Sequence, residues 1–278
     1  MQATTTYREW TALVPAHRRA RSWVRDRVIQ GLSLGRSIDS SRGWIRFPYY
    51  HHVFRDERAG FASQLDYLKG FGEFLSLDDA TNLLASQQPI DGRYFCITFD
   101  DGLKSCATGA LPILAERDIP AAFYVVSDMV GKSFTADDPV ARQVFGFQGR
   151  DSGLEFMDWH DCRAMVAAGM TIASHGRSHT RLAQLDAARA SAELSISQEK
   201  IEAETGAQCR HFCAPYGMPD TDFLPARDPE LARVAAYRSF ATGRRGANRQ
   251  GDNPYFLYRD QLLAGWGNYQ LDYFLSRP

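Results

Sequence analysis

The sequence predicts an α/β fold with a mainly parallel sheet and helices outside it. After Gly43, short apolar segments typical of strands alternate with longer segments that have helical periodicity. Polar residues suited to chemistry follow several of these strands, as they do where parallel strands end. An order of strand, helix, strand, helix needs crossover connections, so it favours a parallel sheet.

The individual elements follow from the same patterns. The predicted strands are short and apolar: Trp44–Tyr50, Tyr94–Phe99, Ala121–Val126, Met170–Ser174 and His211–Ala214. The predicted helices repeat apolar residues every three or four positions: Phe61–Gly70, Leu77–Ala85, Cys106–Glu116, Asp158–Ala168 and Asp186–Thr205. Turns that end one helix and begin the next strand are expected at Arg117–Pro120 and Ala168–Gly169.

Residues 1–42 differ from the rest and are predicted to form a basic helical arm before the α/β domain at 43–278. Val24, Val28 and Leu32 recur there at helical spacing, among six basic residues: His17, Arg18, Arg19, Arg21, Arg25 and Arg27. One interpretation is an amphipathic helix that touches acidic lipid headgroups or a phosphate-linked substrate. The other is a helix packed across the domain with its basic face in solvent.

Composition excludes some classes of protein. The chain has 278 residues, 44% of them hydrophobic, and a net charge of −1, which gives no general reason to expect a nucleic-acid partner. No apolar stretch approaches the roughly 18 residues that span a bilayer, and the first residues lack a secretory pattern. Five cysteines without a C-x-x-C pair indicate reduced, buried thiols. These features favour a cytoplasmic location, with peripheral membrane contact through the arm left open.

Two motifs carry candidate metal-ligating residues. Asp100 and Asp101 close the strand Tyr94–Phe99, and Gly102 permits the turn that would bring both carboxylates to one site. His175 and His179 follow the strand Met170–Ser174 and would share a face if the segment turned helically. One aspartate and two histidines leave a coordination position open for water, the pattern of a catalytic metal site. The second aspartate would then serve as a base.

A third motif, His211–Gly217, ends another predicted strand. Its Pro215-Tyr216-Gly217 turn can aim a backbone N–H and an aromatic ring into a cleft, although a simple loop explains it equally well.

Thr98–Gly102, Ser174–His179 and Phe212–Gly217, in this order, resemble the motifs of the polysaccharide deacetylases of the NodB-homology type, carbohydrate esterase family 4. Pro48–Val53, followed by Phe61–Phe74 and Ser76–Asp79, is similar to the poly-N-acetylglucosamine deacetylase branch. The resemblance covers about residues 44–278. It implies a distorted (β/α) barrel with fewer than eight strands, preceded here by the N-terminal helical extension.

The resemblance also implies roles. Asp101, His175 and His179 would bind a divalent metal, usually Zn²⁺, with Co²⁺, Ni²⁺ or Fe²⁺ as alternatives. Asp100 would take a proton from water, and the Tyr216 backbone N–H would help to stabilise the oxyanion.

The sequence departs from the family pattern at two positions. Many members have an arginine where this chain has Cys213, and Arg259 near the C-terminus is our candidate substitute, against the alternative of a surface arginine. A late histidine that would protonate the leaving group is absent, so His51 is the candidate acid, with His52 behind it.

Substrate contacts are expected at the third motif and near the C-terminus. Pro215 and Tyr216 would border the cleft, and the Trp266 ring would stack on a sugar face, although core packing is its ordinary role. Residues Lys132–Met157 are interpreted as a loop or lid near the cleft, or as a surface insertion.

The predicted function is metal-dependent removal of an N-acyl group, with acetyl the first expectation, from an amino sugar or glycan during surface-polysaccharide assembly. The alternatives are a deformylase, a deacetylase of a nucleotide- or lipid-linked sugar, and a catalytically silent carbohydrate-binding protein on the same scaffold. The oligomeric state is not predicted.

Overall fold

The computed structural model describes residues 2–86 and 88–276. In chain order the strands are β1 (Trp44–Arg46), β2 (Pro48–Tyr50), β3 (Glu73–Phe74), β4 (Arg93–Phe95), β5 (Ile97–Phe99), β6 (Ala121–Val125), β7 (Ser133–Phe134), β8 (Leu154–Glu155), β9 (Thr171–Ser174), β10 (His211–Cys213), β11 (Ser239–Ala241) and β12 (Asp260–Gln261). The α-helices are α1 (Tyr7–Trp10), α2 (Ala16–Ser33), α3 (Arg58–Lys69), α4 (Leu77–Ala85), α5 (Leu111–Glu116), α6 (Trp159–Ala167), α7 (Ala187–Thr205), α8 (Asp228–Val234) and α9 (Asn268–Leu275).

The main sheet is parallel and curls into a distorted (β/α) barrel, as expected. Its strand order in the described chain is β11-β10-β9-β6-β5-β2-β12. The segment leading into β12 reaches the opposite edge, because Leu257 donates to the Phe240 carbonyl at 3.0 Å and accepts from the Thr242 N–H at 3.0 Å. The segment around Leu257 therefore contacts one edge of the sheet, and β12, which follows it, forms the other edge. Arg259 lies between them, in the middle of the fold.

Alternation along each strand separates two packed layers. On β6, Ala122 and Tyr124 pack in the inner cluster, whereas Phe123 and Val125 pack outward against the helices. Most inner residues of the other strands are small, among them Cys96, Ala173, Cys213 and Ala241. Small inner side chains leave room in the barrel for larger polar ones.

Helix α4 packs against the barrel interior through Leu77, Ala80 and Leu84, which belong to the inner cluster. The helix begins at the Ser76 cap, whose side chain accepts the Asp79 N–H. The chemically interesting residues lie instead beyond the carboxyl ends of β2, β5, β9 and β10.

The predicted strands are confirmed with small changes. Trp44–Tyr50 divides into β1 and β2 at Phe47, and Tyr94–Phe99 divides into β4 and β5 at Cys96. The predicted helix Cys106–Glu116 starts with a π-helical turn at Cys106–Ala110 before α5. The pattern did not predict β11, β12, α8 or α9.

The N-terminal arm contains the expected helix, α2, but the helix turns a different face inward. Val24, Val28 and Leu32 are 53%, 54% and 51% exposed, whereas Ile29 and Ser33 are buried. Asp26 joins the helix to α9 by accepting hydrogen bonds from the Tyr269 hydroxyl at 2.9 Å and the Gln270 amide at 2.7 Å.

All five cysteines are buried and free, in agreement with their spacing in the sequence. Among the described residues, no helix is long and apolar enough to cross a membrane.

Candidate metal centre and catalytic cavity

The turn after β5 brings two carboxylates to one site. Asp100 continues the inward alternation of Thr98, and the chain then turns through Asp101 (φ +71°) and Gly102 (φ +79°). A Cβ atom at Gly102 would lie 3.1 Å from the Val125 side chain, in a backbone conformation that already favours glycine. The predicted use of Gly102 as the turning residue agrees with this geometry.

The loop after β9 brings His175 and His179 together, but not by a helical turn, so that part of the prediction is wrong. The segment is an irregular loop in which Gly176 (φ +79°) and His179 (φ +62°) are left-handed. The Glu193 carboxylate of α7 holds the loop by accepting the backbone N–H groups of Arg177 and Ser178 at 3.0 and 2.9 Å. Side-chain support from α7 replaces helical hydrogen bonding here.

Asp101, His175 and His179 converge on one point. Asp101 Oδ1 lies 3.5 Å from His175 Nε2 and 3.2 Å from His179 Nε2, and all three residues are buried. The His175 Nδ1 atom lies 2.9 Å from the Cys213 carbonyl, an arrangement that orients Nε2 toward the carboxylate. Burial raises the pKa of Asp101, but its hydrogen bonds with both histidines outweigh burial and hold that pKa well below its usual range. This donor set fits a divalent transition metal.

A second cluster of possible ligands, formed by Asp100, His175 and Cys213, is less suited to a cation. The Arg259 guanidinium already contacts both the Asp100 carboxylate and the Cys213 sulfur, the latter at 2.9 Å. A metal ion there would meet a fixed positive charge in a buried place. Among the described residues, the Asp101 carboxylate pairs with the two histidines and with no arginine or lysine.

Arg259 and Asp100 form a buried two-point ion pair. Arg259 is 1% exposed, and its two terminal nitrogens lie 2.7 Å from the two Asp100 oxygens. Its Nε donates to the Thr242 carbonyl at 2.8 Å, and the guanidinium lies 4.3 Å from the centre of the Tyr49 ring. Burial raises the pKa of Asp100, and the charge and hydrogen bonds of Arg259 more than reverse that effect. The carboxylate is therefore ionised and fixed in orientation.

The cluster of Asp101, His175 and His179, together with Asp100, borders a cavity of about 250 Å³. His51 lines it too, since it lies two positions beyond Tyr49 on the inner face of β2. Burial lowers the pKa of His51, and the charges of Asp101 and Asp100 act against that effect. His52 points elsewhere: its Nδ1 pairs with Glu57 at 2.8 Å and its ring stacks on Phe54.

Tyr216 lies at a tight turn on the rim of the cavity. Its φ is +62°, and the Gly217 N–H donates to the Pro215 carbonyl at 2.7 Å across it. Within the described part of the chain, the Tyr216 N–H has no hydrogen-bond acceptor. The Tyr216 ring lies 4.7 Å from the His179 ring and 3.8 Å from the Arg181 guanidinium carbon. An unpaired donor at this rim can serve a ligand oxygen.

Two predicted substrate contacts lie away from this cavity. Pro215 is buried beneath the Tyr216 turn, and it is not among the described residues that line the cavity. The Trp266 ring stacks on Phe274 at 4.9 Å and lines a separate depression with Tyr7 and Asp26.

The segment Lys132–Met157, interpreted from the sequence as a loop or lid near the cleft or as a surface insertion, reaches this cavity, although its individual residues were not predicted. Phe145 and Gly146, from the segment Lys132–Met157, line it, and the Phe145 ring lies 4.9 Å from that of His179. No periodic signal marks this irregular segment. Tyr49 could have been predicted. It lies two positions before His51, and residues two apart on a strand face the same side.

Comparisons with known proteins agree with this arrangement. A family model described as polysaccharide deacetylase matches residues 87–228. The chitooligosaccharide deacetylase of Bradyrhizobium sp. (strain ANU 289) is 27% identical over 134 residues, which are 48% of this chain and 50% of that protein. The chain thus spans about half the length of this curated relative.

Solved structures extend the similarity to the whole barrel. The structure of IcaB from Ammonifex degensii is 25% identical with a TM-score of 0.68, covering 85% of this chain and 98% of that one. The Streptococcus pyogenes deacetylase PplD, solved in complex with acetate, is 18% identical with a TM-score of 0.67. The match covers 86% of this chain and 100% of that one. At the lower identity the similarity concerns the fold.

Proposed function

This chain belongs to the polysaccharide deacetylase family, and from that premise we propose that it is a metal-dependent hydrolase that removes an N-acetyl group from an amino sugar or glycan. The observation that carries the proposal is the convergence of Asp101, His175 and His179 on one point beside the ionised Asp100 carboxylate. A silent binding protein has no use for a base held in place by a buried arginine. The intact pair of Asp100 and Arg259 therefore favours catalysis.

The three ligands would hold a divalent ion, zinc in the first instance, which polarises a carbonyl and lowers the pKa of water toward neutrality. Asp100 takes the proton as water adds to the acyl carbon, because its carboxylate is already ionised. Arg259 fixes both oxygens of that carboxylate, so the base cannot rotate away from the cavity.

Two further groups complete the reaction in this proposal. The unpaired Tyr216 N–H donates to the acyl oxygen as negative charge develops on it. His51 in its protonated form delivers a proton to the sugar nitrogen as the carbon–nitrogen bond breaks, so the products are a carboxylate and a free amine. The proton that Asp100 took from water then returns to solvent, and His51 takes another proton from solvent. His51 is suited to this role because it lines the same cavity as Asp100 and Asp101, whose charges favour its protonated form against the effect of burial.

The test is release of acetate and free amine from a panel of N-acetylated sugars, oligosaccharides and sugar nucleotides, with zinc or cobalt added. Asp100→Asn should retain the metal and lose roughly 10²- to 10⁴-fold in kcat, because it removes only the base. Asp101→Asn should lose both metal and turnover.

Asp118→Asn is the matched control, since Asp118 is also left-handed (φ +52°) but exposed on a turn before β6. It should behave as wild type. Full activity in Asp100→Asn would contradict the base assignment, and unchanged kcat in His51→Ala would remove His51 from the mechanism. Release of formate from N-formylated analogues, with no release of acetate from the N-acetylated sugars, would favour the deformylase.

Peripheral membrane contact through α2 is a separate part of the proposal. Val24, Val28 and Leu32 form an exposed apolar stripe at spacings of four residues, on a helix that also carries Arg18 and Arg21. Exposed apolar side chains beside arginines suit a surface of anionic lipid.

A further inference from the structure

A second cavity lies beside the catalytic one. It measures about 360 Å³ and is lined by residues of the same two loops, including Val53 and Leu103. These are two positions beyond His51 and Asp101, which line the catalytic cavity. Two residues of extended chain span at most about 7 Å. One substituted sugar can therefore place its acyl group in the first cavity and a neighbouring group in the second.

The charges that line this second cavity favour an anion. Arg55 and Arg58 are both exposed on its wall, and neither guanidinium has a carboxylate partner among the described residues. Lys104 also lines it but is occupied by Asp161 at 2.5 Å, and Glu155 contributes one negative charge. Two unpaired arginines against one carboxylate leave a positive excess.

An unpaired hydroxyl strengthens the case. Ser105 lines the cavity, is only 8% exposed, and its Oγ has no hydrogen-bond partner in the described chain. A buried hydroxyl without a partner is unfavourable, so a rotation of the Ser105 side chain toward a ligand oxygen in the cavity would relieve a cost. Ser105 also lies in the first turn of the continuous helical segment 104–116, where backbone N–H groups and the helix dipole favour negative charge.

We propose that this cavity, the arginine pocket, binds a phosphate group attached to the sugar close to its N-acyl group. Phosphate fits better than carboxylate, because its free oxygens, three in a monoester and two in a diester, are arranged tetrahedrally and can meet donors from different directions. The inference rests on the proposed function and narrows its substrate to phosphate-bearing amino sugars. A sugar nucleotide, a polyprenyl-linked sugar and a phosphorylated glycan share that chemistry.

The test compares binding and turnover of N-acetylglucosamine and its 1-phosphate in wild type, Arg55→Gln/Arg58→Gln and the control Arg189→Gln/Arg233→Gln, which changes two exposed arginines of α7 and α8. Calorimetric binding in the inactive Asp100→Asn background separates recognition from chemistry. We expect the phosphate to tighten binding by about tenfold or more in wild type and in the control, and to have no effect in Arg55→Gln/Arg58→Gln. Ser105→Ala should lose part of the affinity that the phosphate adds.

Equal binding of the two sugars by wild type would overturn the arginine pocket, and deacetylation of the plain sugar would then leave the proposed function standing. Phosphate-dependent binding with no deacylation of any substrate would keep the pocket and reject the proposed function. A uridine diphosphate sugar and a sugar phosphate on a short prenyl chain, titrated in the same way, identify which source of phosphate binds best.

Discussion

The pair formed by Asp100 and Arg259 decides how the site can work. The carboxylate is 3% exposed and meets the guanidinium at two points, so neither charge is left alone in the barrel. The Cys213 sulfur lies 2.9 Å from an Arg259 terminal nitrogen. The guanidinium thus contacts, from β12's side of the sheet, both Asp100 after β5 and the last residue of β10.

Removal of this arginine should damage both catalysis and stability. Arg259→Met leaves the buried Asp100 charge unpaired, which typically costs about 3–5 kcal/mol of folding free energy. We also expect kcat to fall by about 10²-fold, because the base loses its orientation, while KM changes little. Denaturant unfolding and steady-state kinetics measure the two effects.

Arg244→Met is the control for that experiment. Arg244 is exposed on the segment after β11, and it contacts Arg259 through a backbone hydrogen bond that the substitution keeps. It should change neither quantity appreciably. A stable Arg259→Met with normal kcat would show that Asp100 needs no partner.

The residues of the site were predictable to different degrees. Asp100, Asp101 and the two histidines follow strands, so the strand pattern and family resemblance together identify them. The contact between Arg259 and Asp100 joins residues that are 159 positions apart in the sequence, and no local pattern can predict a contact across such a separation. Arg259 was proposed only because the arginine that the family resemblance predicts at position 213 is absent. Its buried pairing with Asp100 exists only in the folded barrel, so the sequence alone could not predict it.

Among the elements, α2 departs from the interpretation in which it packs across the domain through its apolar residues. Its apolar residues at spacings of four would ordinarily pack inward. Tertiary contacts override that pattern, since Asp26 bonds to α9 and turns Ile29 and Ser33 toward the domain. The apolar stripe is consequently exposed in the described chain.

This exposure gives a prediction for the element. Val28→Asp/Leu32→Asp should weaken sedimentation with phosphatidylcholine–phosphatidylglycerol vesicles by at least about tenfold, because two apolar side chains no longer enter the interface. High salt should weaken the wild-type interaction, since the arginines contribute to it.

Val234→Asp provides the matched control, because Val234 is 73% exposed on α8 but does not belong to the stripe. Its sedimentation should equal that of wild type. Wild-type protein that ignores anionic vesicles would reject membrane contact and leave α2 as a packed helix with a solvated outer face.

The strands illustrate why the rest of the fold was harder to predict. β6 is a continuous apolar run, and β9 has the apolar pair Ile172-Ala173 at its centre, so their existence and type were evident. β11 and β12 have three and two residues, too few to show a period, although β12 forms one edge of the main sheet. The short elements that complete the sheet depend on contacts across the molecule.

At the scale of the whole molecule, charge is arranged locally even though the total is near zero. The net charge is −1, yet the two adjoining cavities differ in character: the catalytic cavity contains two carboxylates, and the arginine pocket has two unpaired guanidinium groups. A ligand that presents a cation-binding acyl group and an anionic group side by side matches this distribution.

The proposed metal ligands join loops from distant parts of the barrel, so metal binding should stabilise the entire fold. Asp101 follows β5, whereas His175 and His179 follow β9. In the sheet β6 lies between these two strands, so the two loops approach one another only in the folded chain. Zinc at 100 times its dissociation constant adds about 2.7 kcal/mol to the free energy of unfolding, because the unfolded chain lacks the site. For a chain of this size we expect Tm to rise by about 5 °C or more.

Calorimetry of protein treated with a chelator and then supplied with zinc measures this shift without reference to activity. Asp101→Asn should have nearly the same Tm with and without zinc, since the carboxylate that both histidines face is lost. Asp118→Asn should keep the full shift. A zinc-induced rise that survives in Asp101→Asn would mean that the ion binds elsewhere, and the Asp101, His175 and His179 cluster would then be a hydrogen-bonded support for the cavity.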